Sequence, residues 1–145
     1  MTAKEYLQQV KVKDARIRNL QRDMAALRGL MFSLGNSSVE GERVQTSPDP
    51  DKFGTLYSKI DGKERQIVES IDDLVDFKLR VTEEIGQLKD DRYIDILYRK
   101  YILCQSWKEI ATEKEYSIRY AQNLNGQALL EFAKTYADML SGLKK

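Results

Sequence analysis

The sequence lacks several residue types that common kinds of functional site require. It has no histidine, one cysteine and two prolines in 145 residues. Without an imidazole there is no histidine acid–base catalysis, no Ser-His-Asp triad and no histidine-bound metal. A lone Cys104 excludes an internal disulfide and any zinc site with several cysteines, and we expect this thiol to be a small core residue. We therefore expect a protein that is not an enzyme and holds no cofactor or metal.

Long apolar runs are also missing. No stretch approaches the ~18 apolar residues of a membrane-spanning helix. The N-terminal segment MTAKEYLQQVKVKD lacks the apolar core of a signal peptide. These absences, together with a free thiol, predict a protein of the reducing cytoplasm that does not enter a membrane.

What is abundant is charge, at 32% of residues, beside 41% hydrophobic residues. The apolar residues recur at alternating steps of three and four, as in a coiled-coil seam. In residues 2–34 they are Val10, Ile17, Leu20, Met24, Leu27, Met31 and Leu34. In residues 52–88 they are Ile60, Ile67, Ile71, Leu74, Val81, Ile85 and Leu88. The spacing predicts a long antiparallel helical (coiled-coil) hairpin over residues 1–90, with a flexible loop at 35–51 that contains both prolines.

Charge is distributed unevenly between the two predicted long helices. Residues 1–34 hold seven Lys or Arg against three Asp or Glu, whereas residues 35–91 hold eight against fourteen. A basic helix and an acidic helix are complementary when they pack side by side. The simpler interpretation is that these are two solvated faces of opposite charge.

Residues 91–145 contain three signals for the start of a helix, and we predict that they form a separate domain. Asp91 is the expected cap of a helix running from Arg92 to about Leu103. Ser106, followed three residues later by a glutamate, is a capping box that begins a short helix at Trp107. Ser117 is the expected cap of a longer helix, running from residue 118 towards residue 140.

The last two of these helices have the spacing of a helix-turn-helix. Trp107 and Ile110 are expected to face the core from the short helix. The expected buried stripe of the longer helix consists of Ala121, Leu124, Ala128, Leu129 and Phe132. The whole chain is thus predicted to be all-α, with a recognition helix at 117–132 that enters the major groove of DNA. The alternative is a three-helix core whose polar residues merely face water.

The residues left outside that stripe have the chemistry of DNA recognition. Arginine can read guanine, and glutamine or asparagine can read adenine, in the major groove. The amides at the start of the helix suit a phosphate oxygen. The predicted DNA-binding residues are Ser117, Ile118, Arg119, Tyr120, Gln122, Asn123, Lys108 and Lys114. Arg99 and Lys100 are further candidates for contacts with the DNA backbone.

The run SWKEIATEKEYSIRYAQNLNGQALLEF, preceded by YIDILYRKYI, resembles region 4 of sigma-70-type factors. It resembles more closely the phage late-gene transcriptional activators of the RinA/ArpU type. The matching residues are Tyr101, Trp107, Glu109, Ile110, Ala111, Tyr116, Ser117, Arg119, Gly126, Ala128 and Leu129. The likeness covers about 40 of the 145 residues. A leucine and a glycine of the family pattern are replaced here by Lys114 and Glu115.

The resemblance implies sequence-specific binding of double-stranded DNA upstream of phage late or packaging genes, in the cytoplasm of a bacterial host. It also implies recruitment of the host RNA polymerase. The hairpin would then serve to form a homo-oligomer, in the simplest case a dimer, or to contact the polymerase. Two alternatives remain: a coiled-coil adaptor or sigma-like module that acts through protein contacts, and a small terminase-like DNA-packaging subunit.

Overall fold

The computed structural model describes residues 1–39 and 50–143, with side chains over 1–33 and 52–143. Every regular element in that part of the chain is a helix, which confirms the all-α class. The helices are α1 (Ala3–Val39), α2 (Pro50–Gly86), α3 (Asp91–Leu97), α4 (Trp107–Lys114), α5 (Ile118–Thr135) and α6 (Ala137–Ser141). A π-helical stretch, Tyr98–Ile102, continues α3. Among these described helices, none combines the length and apolar character needed to cross a bilayer.

The chain divides into two compact units, and both long helices contribute to each of them. The first unit consists of residues 1–13 and 74–143, and the second unit of residues 14–39 and 50–73. The predicted boundary between residues 90 and 91 does not coincide with this division. The first unit extends across it, because side chains of α1 and α2 take part in the core that α5 belongs to.

That core is built around large side chains from five helices, α1 to α5. Its fully buried members include Leu7, Val10, Val81, Ile85, Ile96, Leu97, Ile110 and Phe132. The ring of Tyr6 lies 5.5 Å from that of Phe77, edge to face, and 6.1 Å from that of Phe132. Since α5 alone cannot cover Phe132, the first turns of α1 and the C-terminal part of α2 complete its surroundings.

Hydrogen bonds also join the helices of the first unit to one another. The Tyr6 hydroxyl donates to a carboxylate oxygen of Glu84 at 2.5 Å, and the Tyr136 hydroxyl donates to the Glu84 carbonyl at 2.7 Å. Burial, and then the bond to Glu84, raise the pKa of Tyr6, so its hydroxyl keeps the proton that it donates. The N-terminal ammonium donates to the Leu140 carbonyl at 3.3 Å.

The second unit joins α1 to α2 through a narrow apolar seam and ion pairs. Ile17, Ile60 and Ile67 are buried there, as the seam predicts. Ile71, which was predicted to lie in the same seam, is instead 39% exposed. Arg28 forms an ion pair with Glu64, and the ammonium of Lys63 lies 3.4 Å from a carboxylate oxygen of Asp23.

The ends of three helices differ from the predictions. Helix α1 continues through Gly35, Asn36, Ser37 and Ser38 to Val39, and each of these four residues costs roughly 0.5–1 kcal/mol in a helix already formed. Helix α2 begins at Pro50, where a missing amide proton removes no helical bond. The remainder of the predicted loop lies outside the described residues. The cap of α3 is Asp90 rather than Asp91: its carboxylate accepts from the Arg92 amide at 2.9 Å.

The helix that follows Ser117 is shorter than predicted. It ends at Thr135, because Tyr136 leaves the helical conformation with φ −116° and ψ 31°. The short α6 begins directly after it and buries Leu140. The bond from the Tyr136 hydroxyl to the Glu84 carbonyl joins this end of α5 to α2.

Candidate nucleic-acid interface

Helices α4 and α5 are joined by a turn of three residues, Glu115, Tyr116 and Ser117. Glu115 adopts the left-handed conformation, with φ 57° and ψ 39°, and its amide bonds to the Ala111 carbonyl. Glycine, unlike glutamate, adopts that conformation without strain. The turn therefore has an unfavourable residue at its sharpest point.

The predicted caps of both helices are confirmed. The Ser106 hydroxyl accepts from the Glu109 amide at 3.1 Å. The Ser117 hydroxyl accepts from the Tyr120 amide at 3.0 Å. Each satisfies an amide that would have no partner in the first helical turn.

One face of α5 is fixed against the rest of the first unit. Four of the predicted stripe residues are buried: Ala121, Leu124, Ala128 and Phe132. The fifth, Leu129, is only half-buried, and Asn125 is buried in addition. The amide nitrogen of Asn125 donates to the Tyr101 hydroxyl at 3.2 Å, whereas its buried side-chain oxygen has no hydrogen-bond partner among the described residues. On α4, Ile110 is buried as predicted, whereas Trp107 is half-buried and lies beneath the ammonium of Lys100.

The opposite face at the start of α5 is exposed. It carries Arg119, Gln122 and Asn123, which are neighbours on one side of the helix because they lie three and four residues apart. None of these three side chains makes a hydrogen bond or ion pair with another residue of the described chain. Ile118 and Ser117 are exposed beside them. Five predicted DNA-binding residues are thus accessible together.

Tyr120 is held in place more tightly than its neighbours. Its ring lies 4.8 Å from that of Tyr116, edge to face, and its hydroxyl accepts from Arg92 at 3.4 Å. Arg92 also pairs with Asp90 at 3.0 Å, and this bond lowers the pKa of the Asp90 carboxyl. Tyr120 remains 40% exposed, so it borders the accessible face with a fixed orientation.

The structure separates the cations predicted to contact the DNA backbone into two kinds. Lys108 is exposed, and its ammonium makes no ion pair among the described residues. Lys114 lies 3.4 Å from a carboxylate oxygen of Asp95. Arg99 forms ion pairs with both Asp95 and Glu113. Arg99 therefore already has two carboxylate partners within the fold, whereas Lys108 has none among the described residues.

The ammonium of Lys100 also has interaction partners within the fold. Its ammonium lies 4.4 Å from the centre of the Trp107 ring and donates to the Gln105 carbonyl at 3.3 Å. Burial, followed by repulsion from Lys11, lowers its pKa. The nearby Cys104, predicted to be a core residue, is instead exposed and has a positive φ of 55°, because it lies in the link after the π-helical stretch.

Arg92 is a residue of this region that the sequence did not single out. Its guanidinium approaches the hydroxyl of Tyr120, which lies 28 residues later in the chain. No local spacing connects the two positions, and only the packing of α3 beside α5 brings them together.

No protein-family model matches the chain, and no curated protein and no solved structure matches it. The function of the chain is therefore inferred from its residues and their placement.

Proposed function

We propose that the protein is a sequence-specific DNA-binding regulator of transcription, in which α4 and α5 act as a helix-turn-helix. The proposal rests on the first turns of α5, which have one buried face and one exposed polar face. Ala121 and Leu124 are buried, whereas Arg119, Gln122 and Asn123 are exposed and have no partner among the described residues. A three-residue turn before such a helix is typical of DNA-binding helix-turn-helix motifs.

The exposed side chains supply the chemistry of major-groove recognition. A guanidinium donates to the O6 and N7 atoms of guanine, and a carboxamide both donates to and accepts from adenine. Arg119 is suited to the first of these contacts, and Gln122 or Asn123 to the second. The amides at the start of α5 carry a partial positive charge, and Lys108 on α4 adds a full one, so both favour phosphate oxygens.

The remainder of the chain suits a role in assembly. We propose that residues 1–90 form an antiparallel helical hairpin, supported by the ion pairs of Arg28 with Glu64 and of Lys63 with Asp23. It would serve for self-association or for contact with the host RNA polymerase. The resemblance of residues 92–132 to phage late-gene activators supports a role in transcription rather than in another process on DNA.

Replacement of Arg119 by alanine is expected to weaken binding to the preferred duplex by about 5- to 150-fold, since one bidentate base contact contributes ~1–3 kcal/mol. Duplexes would first be selected from a random pool by the full chain, and binding would then be measured by fluorescence anisotropy at two salt concentrations. The variant should also lose its preference for one particular base at one position of the selected duplex. The side chain is exposed and unpaired among the described residues, so the fold should be retained.

The matched control is Lys134→Ala, which removes the same charge from the far end of α5. It should leave the selected motif unchanged. Equal losses in the two variants, with no change of preference, would mean that the protein binds DNA only through charge. Failure of the folded wild-type chain to enrich any duplex would exclude independent recognition of DNA, and would favour an adaptor acting through protein contacts.

Replacement of Glu115 by glycine is expected to stabilise the protein by about 0.5–1 kcal/mol. The left-handed conformation costs an L-residue roughly 1–2 kcal/mol, and the entropy of glycine offsets part of the gain. Glu115→Ala is the control, since it removes the charge but keeps the strain. Both variants should bind DNA more tightly, because a carboxylate near phosphates is lost, but only glycine should raise the melting temperature. An equal melting temperature in both would show that residue 115 is not held in this conformation in solution.

A further inference from the structure

Tyr120 lies on a flank of α5, between the buried face and the exposed face of that helix. Successive residues of an α-helix are about 100° apart, so Tyr120 is a little over a quarter turn from exposed Arg119 and from buried Ala121. Helix α3 packs along the same flank, where the Tyr93 hydroxyl donates to the side-chain oxygen of Gln127 at 3.4 Å. The flank is therefore the edge of α5 that borders α3.

A flank of a recognition helix faces the wall of the DNA groove. An α-helix with its side chains is about 10–12 Å wide, and the major groove is about 12 Å wide, so the helix fills the groove. When the face of α5 that bears Arg119 is directed at the base edges, its flanks lie beside the two sugar–phosphate backbones. In the proposed complex, Tyr120 is thus closer to phosphate oxygens than to bases.

Two residues at the start of α3 hold the hydroxyl of Tyr120. The carboxylate of Asp90 accepts from Nε of Arg92 at 3.3 Å and from Nη2 at 3.0 Å, and these two bonds fix the plane of the guanidinium. The third nitrogen, Nη1, donates to the Tyr120 hydroxyl at 3.4 Å. Asp90 is itself held in place, because its carboxylate also accepts from the Arg92 amide as the cap of α3.

The bond from Arg92 determines what the Tyr120 hydroxyl can still bind. A phenol hydroxyl has one proton, and an oxygen that accepts from a guanidinium directs this proton away from it. The proton has no acceptor among the described residues, and the side chain is exposed. A hydroxyl that already accepts one hydrogen bond is polarised and donates a stronger second one. The hydroxyl is therefore a prepared donor for an anionic oxygen.

The charge of Arg92 is balanced within the fold. Its guanidinium and the carboxylate of Asp90 form an ion pair with no net charge. Lys108 differs, because its ammonium makes no ion pair among the described residues. Arg92 thus adds little general attraction for DNA, and its effect on binding comes through the orientation of Tyr120.

We propose that Tyr120 donates a hydrogen bond to one phosphate group of the bound DNA, and that Arg92, oriented by Asp90, is the positioning residue for this contact. The inference rests on the proposed DNA binding and adds a contact that reads no base. Contacts of this kind fix the register and the orientation of a protein on the duplex.

The first test compares Tyr120→Phe with wild type on the duplex that the full wild-type chain selects. Loss of a hydrogen bond to a charged group should weaken binding by about 10-fold. Ethylation of single phosphates along the duplex should reveal one phosphate that wild type requires and the variant does not. The matched control is Tyr93→Phe, which removes the other hydroxyl between α3 and α5, two helical turns away at Gln127. It should bind like wild type.

The second test separates orientation from charge. Asp90→Asn combined with Arg92→Gln removes the ion pair without changing the net charge, and asparagine still caps α3. Affinity should fall by about 5- to 10-fold, whereas the dependence of binding on salt concentration should stay that of wild type. Addition of Tyr120→Phe to this double variant should bring the loss only to that of Tyr120→Phe alone, because both changes remove the same contact.

The outcomes distinguish this inference from the proposed function. Equal affinity of wild type and Tyr120→Phe would show that Tyr120 does not bind phosphate. A larger loss in the triple variant than in Tyr120→Phe, or a weaker salt dependence in the double variant, would mean that Arg92 itself contacts the DNA. Each of these results would overturn the inference but leave sequence-specific binding intact. Failure of wild type to enrich any duplex would overturn both.

Discussion

Replacement of Phe132 by alanine is expected to lower the free energy of unfolding by about 3–5 kcal/mol. The side chain is fully buried, with its ring centre 6.1 Å from that of Tyr6 and 4.7 Å from that of Tyr136. Its removal leaves a cavity between helices that cannot close without moving α1 or α2. Denaturant unfolding followed by circular dichroism would measure the loss.

Leu130→Ala is the matched control for this prediction. Leu130 lies on the same helix but is 65% exposed, so its truncation should change stability by at most ~0.5 kcal/mol. Similar losses in the two variants would mean that the face of α5 that packs in the first unit is not the one that bears Phe132.

Removal of residues 1–13 is expected to abolish cooperative folding of the first unit. The deletion takes away three large buried side chains, Tyr6, Leu7 and Val10. At ~1.5–3 kcal/mol each, their loss amounts to roughly 5–9 kcal/mol, against a typical total stability of 5–15 kcal/mol. Hydrogen exchange of the amides in residues 91–143 should then be as fast as in an unfolded chain.

The control for the deletion is the triple variant Lys4→Ala, Gln8→Ala and Lys11→Ala, which changes only exposed positions of the same segment. It should keep the slow exchange of the wild type. If residues 91–143 kept that protection without residues 1–13, the first turns of α1 would not be required for the fold of the first unit.

Local features of the fold could be predicted well. The caps at Ser106 and Ser117 depend on hydrogen bonds that span three residues, and the buried side of α5 follows from a period of 3.6 residues. The accessible group around Arg119 follows from the same period, because residues three and four apart share one side of a helix. Such features are encoded within one or two helical turns.

Features that depend on distant residues could not be predicted. Arg99 was expected to be available for phosphate, but Glu113, fourteen residues later, forms an ion pair with it. Lys114 was placed among the DNA-binding residues without its partner Asp95. Asn125 was not expected to be buried, because its partner Tyr101 lies 24 residues earlier. In each case the partner comes from another element.

The sequence by itself determined the all-α class, the position of most helices and the polar, exposed start of α5. It did so because helix formation, capping and amphipathic spacing are short-range effects. Only the tertiary structure decided that Tyr6 and Phe77 complete the core around Phe132, and that the first unit therefore crosses residue 90. It also determined which of the described lysine and arginine side chains form ion pairs with carboxylates and which do not. These outcomes depend on burial and charge between residues far apart in the chain, for which no local pattern exists.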